Sequence, residues 1–517
     1  MSLAGVLSIA NSGLANVSAQ LALVSHNVAN ASTPGYAVET LDSQSVTAGG
    51  IGMGVLTGPA VRAVNQAMQG AALQQGSAVA GLQTTQTALQ SIDAISGTPG
   101  QGSDLGSLLG DLQNQFSTLL SDPSNPTQQS AVVSSAATLA QGINTLSNAY
   151  TTQRQTAENG IVAEVGAANS ALGTIGSLSA QIVAQQQTGQ STADLESQRD
   201  AAVQNLSQLV SVNVMVQPNG NMVVTTAGGT TLPTYGSPGS PPATSAGPLS
   251  VAGANVQPGS TYPSGGIGGI MVGGVDVTRQ LTGGQLGANI VLRDTTLPTY
   301  QAELDEFSQN TASQFAAQGL TLFTDPTGSV PAGGGIPVQS GYVGFAAEIQ
   351  VNPTVLTDPS LVVNGNTTVA GSPTGSAAFT PNPAGGPAGF STLITNVLNY
   401  TFGADAQPGV PQPAANTTGL GAAGTLTAPF AAPQTLAAFA EAITGAEAND
   451  SANTTTQLAT EQAVQTTLTN QLSSQSGVNL DQQMSLMIQL QNAYGANAKV
   501  MSVVQNSFSQ LLNAVVS

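Results

Sequence analysis

Apolar residues at the two ends of the chain recur in alternating steps of four and three. Near the N-terminus the row is Leu3, Leu7, Ala10, Leu14, Val17, Leu21, Val24 and Val28. Near the C-terminus it is Leu480, Met484, Met487, Gln491, Tyr494, Ala498, Met501, Gln505, Phe508, Leu512 and Val515. Such steps keep side chains on one stripe of a helix, the stripe that coiled coils bury. The pattern predicts a long helix at each terminus and a stem in which the two ends meet. The same stripes also offer a surface to copies or neighbours.

Between these ends the pattern changes several times. The first helix stops before Thr33-Pro34-Gly35, a strong breaking signal. The stretch from Thr40 to Gly58 holds Gly49, Gly50, Gly52 and Gly54 and reads as extended or loop. From Val61 to Leu209 helical spacing predominates, with breaks at Thr98-Pro99-Gly100 and Asp122-Pro123-Ser124-Asn125-Pro126, which predicts a bundle. At Val212 the period becomes two, and Pro218-Asn219-Gly220 followed by Met222-Val223-Val224 reads as a hairpin. Short Gly- and Pro-rich segments continue to Thr278. Helix returns over Thr299 to Gln318, gives way to Gly, Pro, Thr and Val from Asp325 to Pro433, and resumes from Leu436 to Val516 with a weak point at Ser476-Gly477.

The expected fold is therefore α+β and multidomain, with coiled-coil-like terminal helices, a long helical bundle and inserted β-rich outer domains. The expected units are nested so that the N- and C-termini pair. Residues 1–45 and 476–517 form the assembly core, and 46–210, 281–325 and 434–475 form the bundle. Residues 211–280 and 326–433 form β-rich inserts.

Composition narrows the function classes. A chain of 517 residues is expected to hold two to four domains. Charged residues are only 6%, against the usual quarter, so neutral polar side chains supply most of the surface. The balance is acidic, with a net charge of −19, and a polyanion held by Lys and Arg would be repelled. Nucleic acid and anionic membrane are excluded as expected partners. The absence of cysteine removes disulfides, thiolate metal sites and cysteine nucleophiles together. No Lys or Arg precedes Arg62, so the basic region of a secretory signal is missing, and Asn11, Ser12, Asn16, Ser18 and Gln20 interrupt the first apolar stretch. The expectation is a cytoplasmic chain, or one exported without a cleaved signal peptide.

Residues for chemistry are scarce. His26 is the single histidine, so neither a histidine metal site nor a Ser-His-Asp triad can be assembled in the usual way. Gly419-Leu420-Gly421-Ala422-Ala423-Gly424 matches a dinucleotide pattern, but Pro411 and Pro413 stand where a strand is needed and Pro429 where a helix should run. Asp305 and Glu306 are adjacent and would point different ways on a helix. No catalytic residue, cofactor or metal is expected, and the chain reads as a non-enzyme.

Several segments are recognisable. Ser25-His26-Asn27-Val28-Ala29-Asn30-Ala31-Ser32-Thr33-Pro34-Gly35-Tyr36 resembles the N-terminal signature of the bacterial flagellar rod, hook and hook-associated axial proteins. Val478-Asn479-Leu480-Asp481 and the run Gln491 to Lys499 are similar to that family's other end. Asp194 to Asp200, Gly283 to Gly287, and Leu292-Arg293-Asp294-Thr295-Thr296-Leu297-Pro298-Thr299-Tyr300-Gln301 resemble the hook-associated protein 1 family, found at the hook–filament junction. Val351-Asn352-Pro353 with Asp358-Pro359-Ser360 is similar too. Ala37-Val38-Glu39 departs from the small polar and basic residues usual after Pro-Gly-Tyr, and Gly495 replaces a longer polar residue.

The resemblance implies a secreted structural subunit of the flagellum with terminal helices inside a tubular assembly and β-rich domains outside. It also implies as partners copies of itself, hook protein on one side, the next hook-associated or filament protein on the other, and an export chaperone. Two rival readings are a hook or distal rod protein and a secreted β-rich adhesin with a helical stalk.

Overall fold

The computed structural model describes residues 3–33, 35–48, 50–97, 102–234 and 247–516. The break expected at Thr98-Pro99-Gly100 lies outside them. Helix α1 (Leu3–Ala29) is followed by the antiparallel hairpin β1 (Glu39–Ala48) and β2 (Ile51–Arg62). The boundary expected between residues 45 and 46 thus falls inside β1, and the hairpin stays with α1. Helices α2 (Gln66–Ser96), α3 (Leu105–Ser121), α4 (Pro126–Gln187) and α5 (Ala193–Leu209) come next. Helix α4 starts where the sequence demands: Asn125 Oδ1 accepts from the amides of Thr127 and Gln128, and Pro126 occupies the first turn. Its 62 residues at 1.5 Å each make a rod of roughly 93 Å, the axis of the molecule.

The strands β3 (Val212–Val216), β4 (Met222–Thr226) and β5 (Thr231–Leu232) form one antiparallel sheet in that order. Helix α6 (Gly284–Val291) runs through a π-turn, Leu292–Thr296, into α7 (Leu297–Ala317). Pro298 offers no N–H to the carbonyl four residues back, and a widened turn is how a helix passes such a gap. Residues 326–433 carry strands of two or three residues and four short helices, α8 (Phe345–Glu348), α9 (Pro353–Thr357), α10 (Leu361–Asn364) and α11 (Thr392–Asn396). The chain closes with α12 (Leu436–Ser476) and α13 (Leu480–Val516).

Two cores lie along α4. Its first half, with Val132, Leu139, Ile143 and Tyr150, packs on α3 and α7, and α12 closes the same core against those two helices. The 326–433 segment completes this core with Phe345, Val355, Ile394 and Phe402. Phe402 meets Phe315 edge-on at 5.6 Å between ring centres. The second half of α4, with Ile161, Leu172 and Ile175, packs on α5, α6 and the β3–β5 sheet. Helices α1 and α4 are long and apolar enough to cross a bilayer. In α4, however, the apolar residues fill these two cores.

Candidate assembly site

The ends of the chain pair as the spacing predicts. Antiparallel to α1, α13 passes Gln483 beside Asn27 and Asn497 beside Gly13. Val17, Val24 and Leu490 are buried between them, flanked by Leu21, Met487 and Ala493. Gln483 and Val504 are also buried. The row of α13 that these residues mark, Gln483, Leu490, Asn497 and Val504, is one heptad position. The stripe expected from spacing takes the two neighbouring rows, Leu480, Met487, Tyr494, Met501, Phe508 and Val515 with Met484, Gln491, Ala498, Gln505 and Leu512, of which Met487 borders the contact with α1. The buried row carries Gln483 and Asn497 between Leu490 and Val504, so only the packing partner reveals it.

Most of the predicted α13 stripe therefore faces outward. Leu480, Met484 and Tyr494 are exposed, and so are Phe508 (52%) and Leu512 (59%). Leu486, Ile488, Val500, Val503 and Leu511 are exposed with them. Met487 and Met501 are half-buried, as are Leu7, Leu14, Leu21 and Val28 on α1. Leu3 lies in α1, but its side chain is outside what the structure describes. Since Gly13 meets Asn497, the start of α1 is reached near residue 507, and the last turns of α13 run on beyond it.

The signature after α1 builds a joint. The side-chain amide of Asn27 pairs with both backbone groups of Glu39: Nδ2 donates to its carbonyl at 2.9 Å, and Oδ1 accepts from its amide at 3.0 Å. Asn27 thus continues the hairpin's hydrogen bonding into the helix. Asn30 Nδ2 donates to the His26 carbonyl, Thr33 Oγ1 to Asn30 Oδ1, and the Tyr36 hydroxyl to Asn27 Oδ1 at 2.9 Å. Gly35 takes φ +79°, open to glycine without strain. Pro34 lies outside the described residues. Burial, and then the charges of Glu39 and Asp194, push the Tyr36 phenol far up.

Among the described residues, one histidine–carboxylate grouping is compact enough to consider for a metal: His26, Glu39 and Asp194, with candidate atoms within 4.8 Å. Its donors do not converge. Nδ1 of His26 faces Glu39 and Nε2, on the opposite edge of the ring, faces Asp194. The ring bridges two carboxylates from opposite edges rather than sharing a coordination sphere with them.

Arg293 and Asp294, singled out in the middle of the chain, lie at the π-turn between the two cores. Fully buried Arg293 forms a two-pronged ion pair with Asp294, 2.7 and 2.8 Å, and a third contact to Glu158 Oε2 at 2.6 Å. Burial works against the charge of Arg293, but Asp294 and Glu158 outweigh it and raise its pKa. Arg154 donates to the Arg293 carbonyl and to the carbonyls of Gln257 and Ser260, and burial lowers its pKa to about 10. The four charges cancel and tie the 254–260 loop to α4. Leu297 is buried beside them, while Pro298 lines a small cleft with Tyr262 and Asp305. The sequence reading missed Arg154 and Glu158, more than a hundred residues from their partners.

A second polar cluster joins α4, α7 and α12. The Tyr150 hydroxyl donates to Glu447 Oε1, Ser96 to Glu447 Oε2, and Tyr300 to Asp450 at 2.6 Å. Glu303, 1% exposed, has neither carboxyl oxygen hydrogen-bonded. Burial, then the charges of Glu447 and Asp450, push its pKa to about 8. Burial likewise lifts Glu447 and Asp305 to about 7.

Comparison with known proteins bears on these features. Residues 89–329 match the family model for the flagellar hook-associated protein FlgK helical domain, which spans the π-turn and its buried charges. Residues 7–36 match the flagella basal body rod protein, and 470–514 the flagellar basal body rod FlgEFG protein C-terminal region. All three matches are to flagellar axial proteins, the longest of them to the hook-associated helical domain. The solved structure of the flagellar hook junction protein FlgK from Burkholderia pseudomallei is 27% identical with a TM-score of 0.39. That match takes in 51% of this chain and 45% of that one, so the chain spans less than half of that protein's length. No curated protein matches the chain.

Proposed function

We propose that this hook-associated chain is the structural subunit that joins hook to filament and polymerises through its terminal helices. The observation that carries this reading is the outward apolar face of α13, with Leu480, Met484, Tyr494, Phe508 and Leu512 exposed. A monomer has no use for such a face, and contiguous exposed apolar surface marks a protein contact. Covering one such side chain contributes about 1.5–3 kcal/mol, so a repeated contact drives assembly strongly. In this reading the partners are copies of the chain, hook protein on one side and the next hook-associated or filament protein on the other. An export chaperone keeps the apolar ends apart before assembly. The segments 211–280 and 326–433 face away from the tube, and no step of chemistry is involved.

Immunogold labelling of isolated flagella with an antibody to residues 361–433 tests the position. A single short band where hook meets filament is the expected result. Label along the whole hook would reassign the chain to the hook itself, and absence of label would favour an adhesin.

A further inference from the structure

We propose that His26 is a pH-dependent latch between the terminal helix pair and the helical body. Its ring bridges two parts of the chain. Nδ1 lies 3.7 Å from Oε2 of the buried Glu39, at the start of β1, and Nε2 lies 3.7 Å from Oδ1 of the exposed Asp194, in the first turn of α5. The Tyr36 hydroxyl sits 3.2 Å from Nδ1 and already donates to Asn27 Oδ1. The tyrosine oxygen is thus left to accept a proton held on Nδ1. A neutral imidazole has one N–H only, so its other nitrogen presents a lone pair to the Asp194 carboxylate. Protonation gives both nitrogens a hydrogen and sets a cation between two anions. Histidine is the side chain that makes this change near neutral pH.

The groups around the ring sharpen the sign. Glu39 of the hairpin, Tyr36 just before it and Asp194 of α5 face the ring; Arg62, at the end of β2, pairs beside them with Glu196 and Asp200 of α5, and α13 brings the neutral Gln483 to Asn27. Burial, then the Asp194 charge, push the Glu39 carboxyl up, while His26 and Arg62 pull it down. A protonated His26 therefore keeps Glu39 ionised, and each supports the other. Arg62 holds the same two parts together, 2.7 Å from Asp200 Oδ2 and 3.8 Å from Glu196 Oε2. His26 adds a second clasp, complete when both ring nitrogens carry a hydrogen and broken when one is given up, so the joint tightens on acidification.

The chain has no cysteine, so two introduced thiols label it uniquely. Single-molecule energy transfer on the full-length monomer, labelled at the exposed positions Ser18→Cys on α1 and Ser170→Cys on α4, reads the joint directly. The docked population should fall roughly three-fold as pH rises from about 5.5 to about 8, the scale of partly exposed ion pairs. His26→Gln should remove that dependence and stay in the loosened state. Asp194→Asn, which removes the exposed partner alone, should roughly halve it and keeps the proposal testable should the first variant misfold. Identical distributions across the range, or a pH response surviving in His26→Gln, would overturn the latch. Release of the joint by EDTA at about pH 6 would also overturn it and assign the joint to a metal.

Discussion

Two antiparallel helix pairs, one nested inside the other, are built on opposite terms. The inner pair, α2 with α12, is held by a ladder of polar side chains. Gln75 Nε2 donates to Glu461, Gln86 to Thr455, Asn65 to Gln475, and Ser451 to Asp93. Its exposed positions are mostly Thr, Gln, Asn, Ser and Ala, with Ile95 on α2 and Val464 on α12 the large apolar exceptions. The outer pair, α1 with α13, meets through a thin apolar row and leaves some ten large apolar side chains of α13 facing outward. A chain with so little charge can afford polar solubility along its body, so apolar surface concentrated at its ends marks where a neighbour belongs.

The strongest way to break the comparison is to place charge on the apolar stripes of the terminal helices. Leu512→Asp, or Leu14→Asp on α1, should abolish incorporation into flagella while the body stays folded by circular dichroism. Val464→Asp on α12 should assemble normally. Normal filaments from Leu512→Asp would mean that the outer face of α13 is solvent surface like that of α12.

The body differs from the ends in burying charge, and its stability should show it. Arg293→Met leaves Glu158 and Asp294 without their cation, and one broken buried pair costs about 3–5 kcal/mol. Thermal unfolding of the body should drop accordingly, whereas the terminal pair, remote from this cluster, should keep its helicity in a spin-label or hydrogen-exchange measurement. Equal loosening of both regions would show that they fold as one unit.

The smallest effect is on pH dependence. Glu303 is pushed up to about 8 and Glu447 and Asp305 to about 7, each above the ordinary carboxylate range. The folded body therefore binds more protons than the unfolded chain between about pH 5 and about pH 8, so its stability falls as pH rises through that window. The unfolding temperature measured from about pH 5 to about pH 9 should decline, and Glu303→Gln should flatten the decline and raise stability at the alkaline end. A body whose stability rises over that range would contradict the burial of these carboxyls as neutral acids.

The terminal helices, their pairing, the bundle and the first hairpin of the insert were legible because each rests on local periodicity or on a turn. Asn125-Pro126 opening α4 and Gly477 closing α12 are cases where adjacent residues decide the backbone by themselves. The motif around Asn27 identified a family, although its physical task, completing the backbone hydrogen bonds of Glu39, needed the folded hairpin to be seen. What the tertiary structure alone decided is which row of α13 faces α1. It also decided that Glu158 and Arg154 meet Arg293, that Glu303 is sealed from water, and that His26 stands between Glu39 and Asp194. These are contacts between residues far apart in the chain. No local pattern can encode them, because a carboxylate or an imidazole looks the same in sequence whether it meets water, a partner or a low-dielectric core.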